Sequence, residues 1–343
     1  MSFSPNSMTV RLAAGAGAAI LLLALAGAAA QAQDQTYVMK ITTPTLNAAL
    51  DQYANVYAAA VAKDSGGRIK PEVYPASRLG SIPRQIEGTQ FGAIQCAIIP
   101  PEFFVGVDER FEVLAAPGLV SSVTQGQRIA ADSEVLKLIL GLGAQKGLRG
   151  AALGLAEPAE VIAKNPIRHL ADFKGKKLRI FASDFQADAF KRLGATPVAM
   201  SPSDVLAALQ QGSLDGSVAG VELLSGLHFY DAAKYITMTN HSAIFFVVEI
   251  SKKWYDSLPA DLQQIVDQDA ASVSAAFNPR ALEILTAARK TWTDAGGELI
   301  ELPDDERSEM LKTLSSVGAD VSKDKPALSA AYQAVSEAAQ RSQ

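Results

Sequence analysis

Cysteine is almost missing from this chain: 343 residues contain one, Cys96. A lone thiol cannot close an internal disulfide, and its seat in the apolar run "IQCAIIP" points to a buried structural side chain rather than a nucleophile. Stability therefore has to come from core packing. Histidine is nearly as scarce, and the three residues, His169, His228 and His241, are scattered, as hydrogen-bonded structural histidines would be. Paired-cysteine metal spacings, H-E-x-x-H, G-x-S-x-G and a P-loop are all absent. The "GLGAQKG" at Gly141 lacks the full dinucleotide fingerprint and follows no clear strand. An enzyme would have to build its acid/base pair from carboxylates that nothing in the sequence marks. The expectation is a non-enzyme with no cofactor and no metal site. A basic face is lacking too: 31 Lys and Arg face 36 Asp and Glu, so nucleic acid is not an expected partner.

What is present begins with an export pattern. Arg11 is followed by an uncharged stretch, Leu12 to Ala30, that closes on Ala30-Gln31-Ala32. One positive charge, a short apolar segment and a small-x-small end describe a signal peptide over residues 1–32, with a membrane anchor as the alternative reading. No later segment approaches the roughly 20 apolar residues that span a bilayer, so no stable membrane insertion is expected after cleavage. Removing residues 1–32 removes Arg11 alone and takes the net charge from −5 to −6.

The remaining chain is long enough for two units of ordinary size. "TYVMKITT" alternates as a strand, Ala48 to Asp64 reads as a helix stopped by Ser65-Gly66-Gly67, and "RIKPEVYP" reads as an edge strand because it contains Pro71. A helix around 83–89, a glycine and "AIQCAII" follow. The same order returns: "KKLRIFA" as a strand, "SDFQADAFKRLG" as a helix, "ATPVAM" as a strand, and "SPSDVLAALQQG" as a helix. In the last, Ser201 suits the N-cap, Pro202 the first turn, Asp204 a capping box and Gly212 the stop. Two helix–glycine–strand units, "RQIEGTQFGAIQCAII" and "LAALQQGSLDGSVAG", suggest two lobes of similar α/β build. "AIFFVVEIS" is a strand long enough to cross between them. The segment "LPADLQQIVDQDAASVSAAFNPRALEILTAARKTW" reads as one long helix bending near Pro279.

One residue disturbs this pattern. Arg179 stands in the strand "KKLRIFAS" among Leu178, Ile180 and Phe181. It is either an edge-strand arginine paired with a surface carboxylate, worth at most about 1 kcal/mol, or a fixed fork awaiting a carboxylate ligand. Local sequence leaves both open.

The stretch around it resembles the substrate-binding proteins of TRAP transporters, the tripartite ATP-independent periplasmic, DctP-like family. Pro166-Ile167, Asp172-Phe173-Lys174-Gly175, Leu178-Arg179, Leu193-Gly194-Ala195 with Pro197, Met200, Asp204-Val205, Ala208-Leu209-Gln210 and Asp215-Gly216 follow that family's pattern in order. "SGGRIKPEVYPASRLGS", "MTNHSAIFFVV" and "WYDSLPADLQQIV" extend the resemblance over the mature chain. It implies a two-lobed α/β periplasmic binding protein with crossing hinge strands and a long bracing helix. The lobes expected are 33–155 plus 244–284, and 156–243 plus 285–343. It further implies a periplasmic location, a small-molecule carboxylate ligand, TRAP membrane subunits as partners, and Arg179 as the residue that holds the carboxylate. A protein presenting its ligand to a periplasmic sensor, or an exported enzyme on the same scaffold, are the alternatives.

The departures from the family pattern shape the expected ligand. Where many members carry a second arginine shortly before P-I, Pro158 to Glu160 are not basic. Where polar groups are usual, this chain has Val218, Ala219, Pro100, Pro101, Phe103, Phe104, Phe245 and Phe246. A sugar acid would leave hydroxyls unpaired, at about 1–3 kcal/mol each when buried. The expectation is an apolar or aromatic monocarboxylate, with Arg179, Phe103, Phe246, Phe181, Ala219 and Thr43 as its candidate binding residues.

Overall fold

The computed structural model describes residues 35–343, so the expected signal peptide lies outside the described residues; at 278 and 279 the backbone alone is described. Among the described residues the strands are β1 (Tyr37–Thr42), β2 (Ile69–Tyr74), β3 (Cys96–Ile99), β4 (Leu148–Ala163), β5 (Lys177–Ile180), β6 (Thr196–Ala199), β7 (Gly216–Ala219), β8 (Tyr235–Ser251) and β9 (Glu298–Glu301). They join in one mixed sheet in the order β2-β1-β3-β8-β4-β7-β5-β6, with β9 also on β8.

Two strands organise this sheet. β4 and β8 form a long antiparallel ladder from Leu148↔Ser251 to Ala163↔Tyr235. The parallel group β2-β1-β3 attaches to the C-terminal half of β8, through Cys96↔Ile250 to Ile99↔Val247. The parallel group β7-β5-β6 attaches to the C-terminal half of β4, through Glu160↔Ala219 to Ala163↔Gly216. The two lobes thus hang from opposite ends of one strand pair, the crossing arrangement expected of the fold. The ladder shifts register between Gly150 and Ala152, Leu155 and Glu157, and Ala159 and Val161.

The helices are α1 (Ala49–Asp64), α2 (Ile82–Phe91), α3 (Val123–Ala131), α4 (Ser133–Gly141), α5 (Asp184–Arg192), α6 (Pro202–Gln211), α7 (Val221–Gly226), α8 (Lys252–Tyr255), α9 (Ala260–Asp294), α10 (Asp304–Leu314), α11 (Val317–Ser322) and α12 (Pro326–Arg341). At 35 residues α9 is the bracing helix, unbroken through 279, and it touches α1, β4 and α7. The last helix, α12, lies on α3, α4 and the short helical turn at Glu109–Ala115. There Leu328, Val335 and Ala338 share a buried cluster with Phe111, Ile129 and Ile139.

Local chemistry explains most of these boundaries. In β1 the buried Met39 and Ile41 alternate with Val38 and Lys40, which are not buried. β2 ends the sheet, where the missing N–H of Pro71 is harmless. The two helix–glycine–strand units close alike: Gly92 (φ 86°) and Gly212 (φ 75°) take the left-handed conformation, and the next two amides donate to the Gly88 and Ala208 carbonyls respectively. The capping box expected at Ser201 does not form. Ser201 sits at the N-cap, but its backbone carbonyl takes the Asp204 N–H (3.1 Å) and its hydroxyl makes no cap bond.

Candidate functional site

Arg179 is an interior residue. β5 lies between β7 and β6, with Arg179 opposite Ser217 and Val198, and the side chain is 1% exposed. This rules out the edge-strand reading. Nε donates to the Met200 carbonyl (2.7 Å) and Nη1 to the Val218 carbonyl (2.9 Å), while Nη2 has no partner among the described residues. The guanidinium carbon lies 4.7 Å from the centre of the Phe181 ring and 5.8 Å from that of Phe103, and the two rings stack 5.5 Å apart. Burial pulls the guanidinium down to about 9, opposed by the nearby Glu102 carboxyl, so it remains cationic at neutral pH. Glu102 is itself fully buried, and burial pushes it up to about 8.

Arg179 opens on a partly enclosed cavity whose free volume is about 30 Å³. Phe103, Phe181, Leu50, Ile244 and Leu223 supply apolar wall, with Pro44, Pro100 and Pro202 between them. Besides Arg179, the polar groups on the wall are Thr45, Glu157 and Glu222. Thr45 donates its hydroxyl to Asp51 (3.1 Å).

Both carboxyls are placed by backbone. Glu157 follows the register shift at Leu155/Glu157 and stands opposite Ile244. Its Oε2 accepts the Glu222 N–H (2.8 Å). Glu222, in the first turn of α7, accepts the Ala49 N–H at the start of α1 through Oε2 (2.7 Å), while its Oε1 has no partner. Burial, reinforced by the neighbouring Glu222, drives Glu157 well above the usual carboxyl range; burial pushes Glu222 to about 8. Gly220 makes this approach feasible, because a Cβ there would fall 1.9 Å from the Glu157 carboxyl. Elsewhere along the same seam Glu112 accepts the Ser183 hydroxyl (3.0 Å) and the Asp184 N–H (2.6 Å).

Of the residues expected from sequence, Arg179, Phe103, Phe181 and Ala219 meet at this cavity. Phe246 does not line it. Its ring packs 5.0 Å from Tyr53 and covers Gly154, one step further along the strand face from Ile244, which does. Thr43 is fully buried, with its hydroxyl 3.3 Å from that of Thr45, and stands behind the wall. Glu157, Glu222 and Thr45 are additional wall residues. The histidines are elsewhere: His169 faces Glu306 (2.8 Å), His228 stacks on Tyr230, and burial holds His241 neutral at about 4. Among the described residues no cluster of His, Cys, Asp or Glu could hold a metal ion.

Residues 42–324 match the profile of the bacterial extracellular solute-binding proteins, family 7, DctP. The chain belongs to this family. It is 30% identical over 264 residues, 74% of this chain and 77% of the relative, to the C4-dicarboxylate-binding periplasmic protein DctP of Rhodobacter capsulatus. It is 26% identical, over 77% of this chain and 79% of the relative, to the protein of the same name from Vibrio cholerae. A TRAP periplasmic solute-binding protein from Desulfovibrio salexigens, crystallised with orotic acid, superposes with a TM-score of 0.82 at 21% identity, covering 90% of this chain and all of that one. Family 7 proteins are periplasmic solute-binding components of transport systems and not enzymes. Among the described residues no helix is long and apolar enough to cross a membrane.

Proposed function

We propose that this family 7 protein captures a small monocarboxylate with an apolar or aromatic body, holds its carboxylate on Arg179, and delivers it to TRAP membrane subunits in the periplasm. Residues 1–32 export the chain. The lobes that close on the ligand are 33–155 with 244–284, and 156–243 with 285–343, of which the last helix, α12, reaches back onto the first lobe. β4 and β8 then change lobe at adjacent rungs, Leu155↔Phe245 and Glu157↔Ile244. The observation that carries the reading is the Nη2 group of Arg179, buried without a partner among the described residues at the wall of a partly enclosed, largely apolar cavity.

The rest of the wall supports the size and polarity of the ligand. A second carboxylate, as in a C4-dicarboxylate, would face Glu157 and Glu222, whose burial already resists negative charge. A polyhydroxylated acid would set its hydroxyls against phenylalanine and proline. A thermal-shift panel tests this: aryl and branched-chain acids raise the melting temperature, and Arg179→Ala loses about 2–5 kcal/mol of their binding. Stabilisation by sugar acids or C4-dicarboxylates but not by these acids overturns the ligand class. Unchanged affinity in Arg179→Ala removes that residue from the site.

A further inference from the structure

The cavity presents an acceptor as well as a cation. Glu222 is 1% exposed and lines the cavity, yet its Oε1 meets no donor among the described residues. Its other oxygen is tied to the Ala49 N–H, so the carboxyl is fixed in place. Glu157 stands next to it, with Oε2 committed to the Glu222 N–H and its position dependent on the missing side chain of Gly220. Ionised, this carboxyl is a firmly held buried acceptor left open, and a donor that arrives from outside satisfies it and favours the ionised form against the burial that opposes it.

We infer that the ligand bears an N–H donor, ammonium or neutral, a few atoms from its carboxylate, and that Glu222 receives this donor while Arg179 holds the acid. This rests on the carboxylate reading of Arg179 given above. A nitrogen-borne hydrogen suits the wall better than a hydroxyl does. An N–H donates without demanding a donor in return, whereas the lone pairs of a hydroxyl would face Phe103, Phe181, Leu223 and Ile244 unpaired. An ammonium would also supply the cation that lets Glu222 ionise there, where burial otherwise keeps it protonated. Amino acids with small apolar side chains and N-heterocyclic carboxylic acids are the two sources of this chemistry.

Matched acids that differ only at one ring atom decide it. Pyrrole-2-carboxylate against furan-2-carboxylate probes a neutral N–H, and proline against tetrahydrofuran-2-carboxylate probes an ammonium. Both pairs are titrated by calorimetry into the full mature chain, alongside the broader acid panel. The nitrogen member of at least one pair binds at least about tenfold tighter than its oxygen counterpart. Glu222→Gln keeps an oxygen for the Ala49 N–H but turns an amide donor toward the cavity, so that preference vanishes or reverses. Should Glu222→Gln fail to fold, Glu157→Gln, which retains an acceptor for the Glu222 N–H, takes its place and reduces the preference. Oxygen members that bind as tightly as or tighter than nitrogen members, with affinity still lost in Arg179→Ala, overturn the N–H inference and leave the carboxylate reading standing. No binding by any acid in the pairs or the panel overturns both.

Discussion

Gly220→Ala is a one-methyl perturbation whose outcome follows from distances. The backbone at Gly220 is extended (φ −88°, ψ 154°), a conformation alanine adopts without strain. Judged by chain entropy alone, the change would stabilise by about 0.4–1 kcal/mol. The added Cβ, however, would lie 1.9 Å from Cδ and Oε1 of Glu157 and 2.4 Å from its Cγ. Glu157 is 4% exposed, and the space it could move into is the small cavity that it lines. Moving it breaks the 2.8 Å bond from the Glu222 N–H and leaves both groups buried. Overpacking costs about 1–3 kcal/mol and an unsatisfied buried polar group a further 1–3. We expect a net loss of about 2–4 kcal/mol, measured as a lowered midpoint in urea. Glu157→Ala removes the obstacle, so the double variant should be no less stable than Glu157→Ala alone, a coupling of about 2 kcal/mol or more between positions in direct contact. A Gly220→Ala protein within about 0.5 kcal/mol of the parent, or singles that simply add, would refute the steric reasoning.

Further outcomes follow from other buried groups. Burial pushes Glu102, Glu160, Glu222 and Glu249 from 4.5 up to about 8, so the folded protein holds more protons than the unfolded chain. The stability they contribute is complete below about 4.5 and is lost as pH rises through about 8. His241, lowered from 6.5 to about 4, acts the other way: its contribution is present above 6.5 and is lost as pH falls through about 4. With four such carboxyls against one histidine, the melting temperature should be highest near about pH 5 and fall progressively towards pH 9; a steady rise to pH 9 contradicts this. Cys96, fully buried and with its thiol pushed up by burial, should resist a thiol reagent at pH 8 until denaturant is added, and rapid labelling of native protein would show the strand β3 to be open. Glu112→Ala should lose about 1–3 kcal/mol in chemical denaturation. Glu112→Gln, which can still accept from Ser183 and Asp184, should lose less, and equal losses would remove those bonds from the account.

Much of the architecture is legible from local rules. Alternation marks β1, the Pro71 strand falls at an edge, and the glycines at 92 and 212 stop their helices where a left-handed residue is needed. β4 is not marked in this way. Its sequence, "LRGAALGLAEPAEVIA", is poor in the β-branched and aromatic residues that favour strands. It becomes a strand because β8 pairs with it along its length and β7 along its second half. The site divides similarly. Arg179 is conspicuous because a guanidinium in an apolar strand demands an explanation, and Phe103, Phe181 and Ala219 join it. Phe246 has the strand-face parity of Ile244 but sits one pair too deep, a distinction of position along a ladder that composition does not carry. Glu157 and Glu222 are 65 residues apart and become a pair only through the β4–β7 register and the space left by Gly220.

The path of the chain has a parity. It begins beside β1, passes to the other lobe along β4, returns along β8 and passes over again along α9. After these three passages α11 lies on α5, in the lobe across from β1. The α12 helix then makes the count even by leaning back onto α3, α4 and the turn at 109–115. The short link from Ser322 to Pro326 is therefore a fourth tie between the lobes, made by helix packing instead of a strand. A hinge defined by β4, β8 and α9 alone would leave the lobes free to swing about that seam. With α12 clasped to the far side, any swing must either carry this helix as cargo or slide it over Phe111 and Ile139.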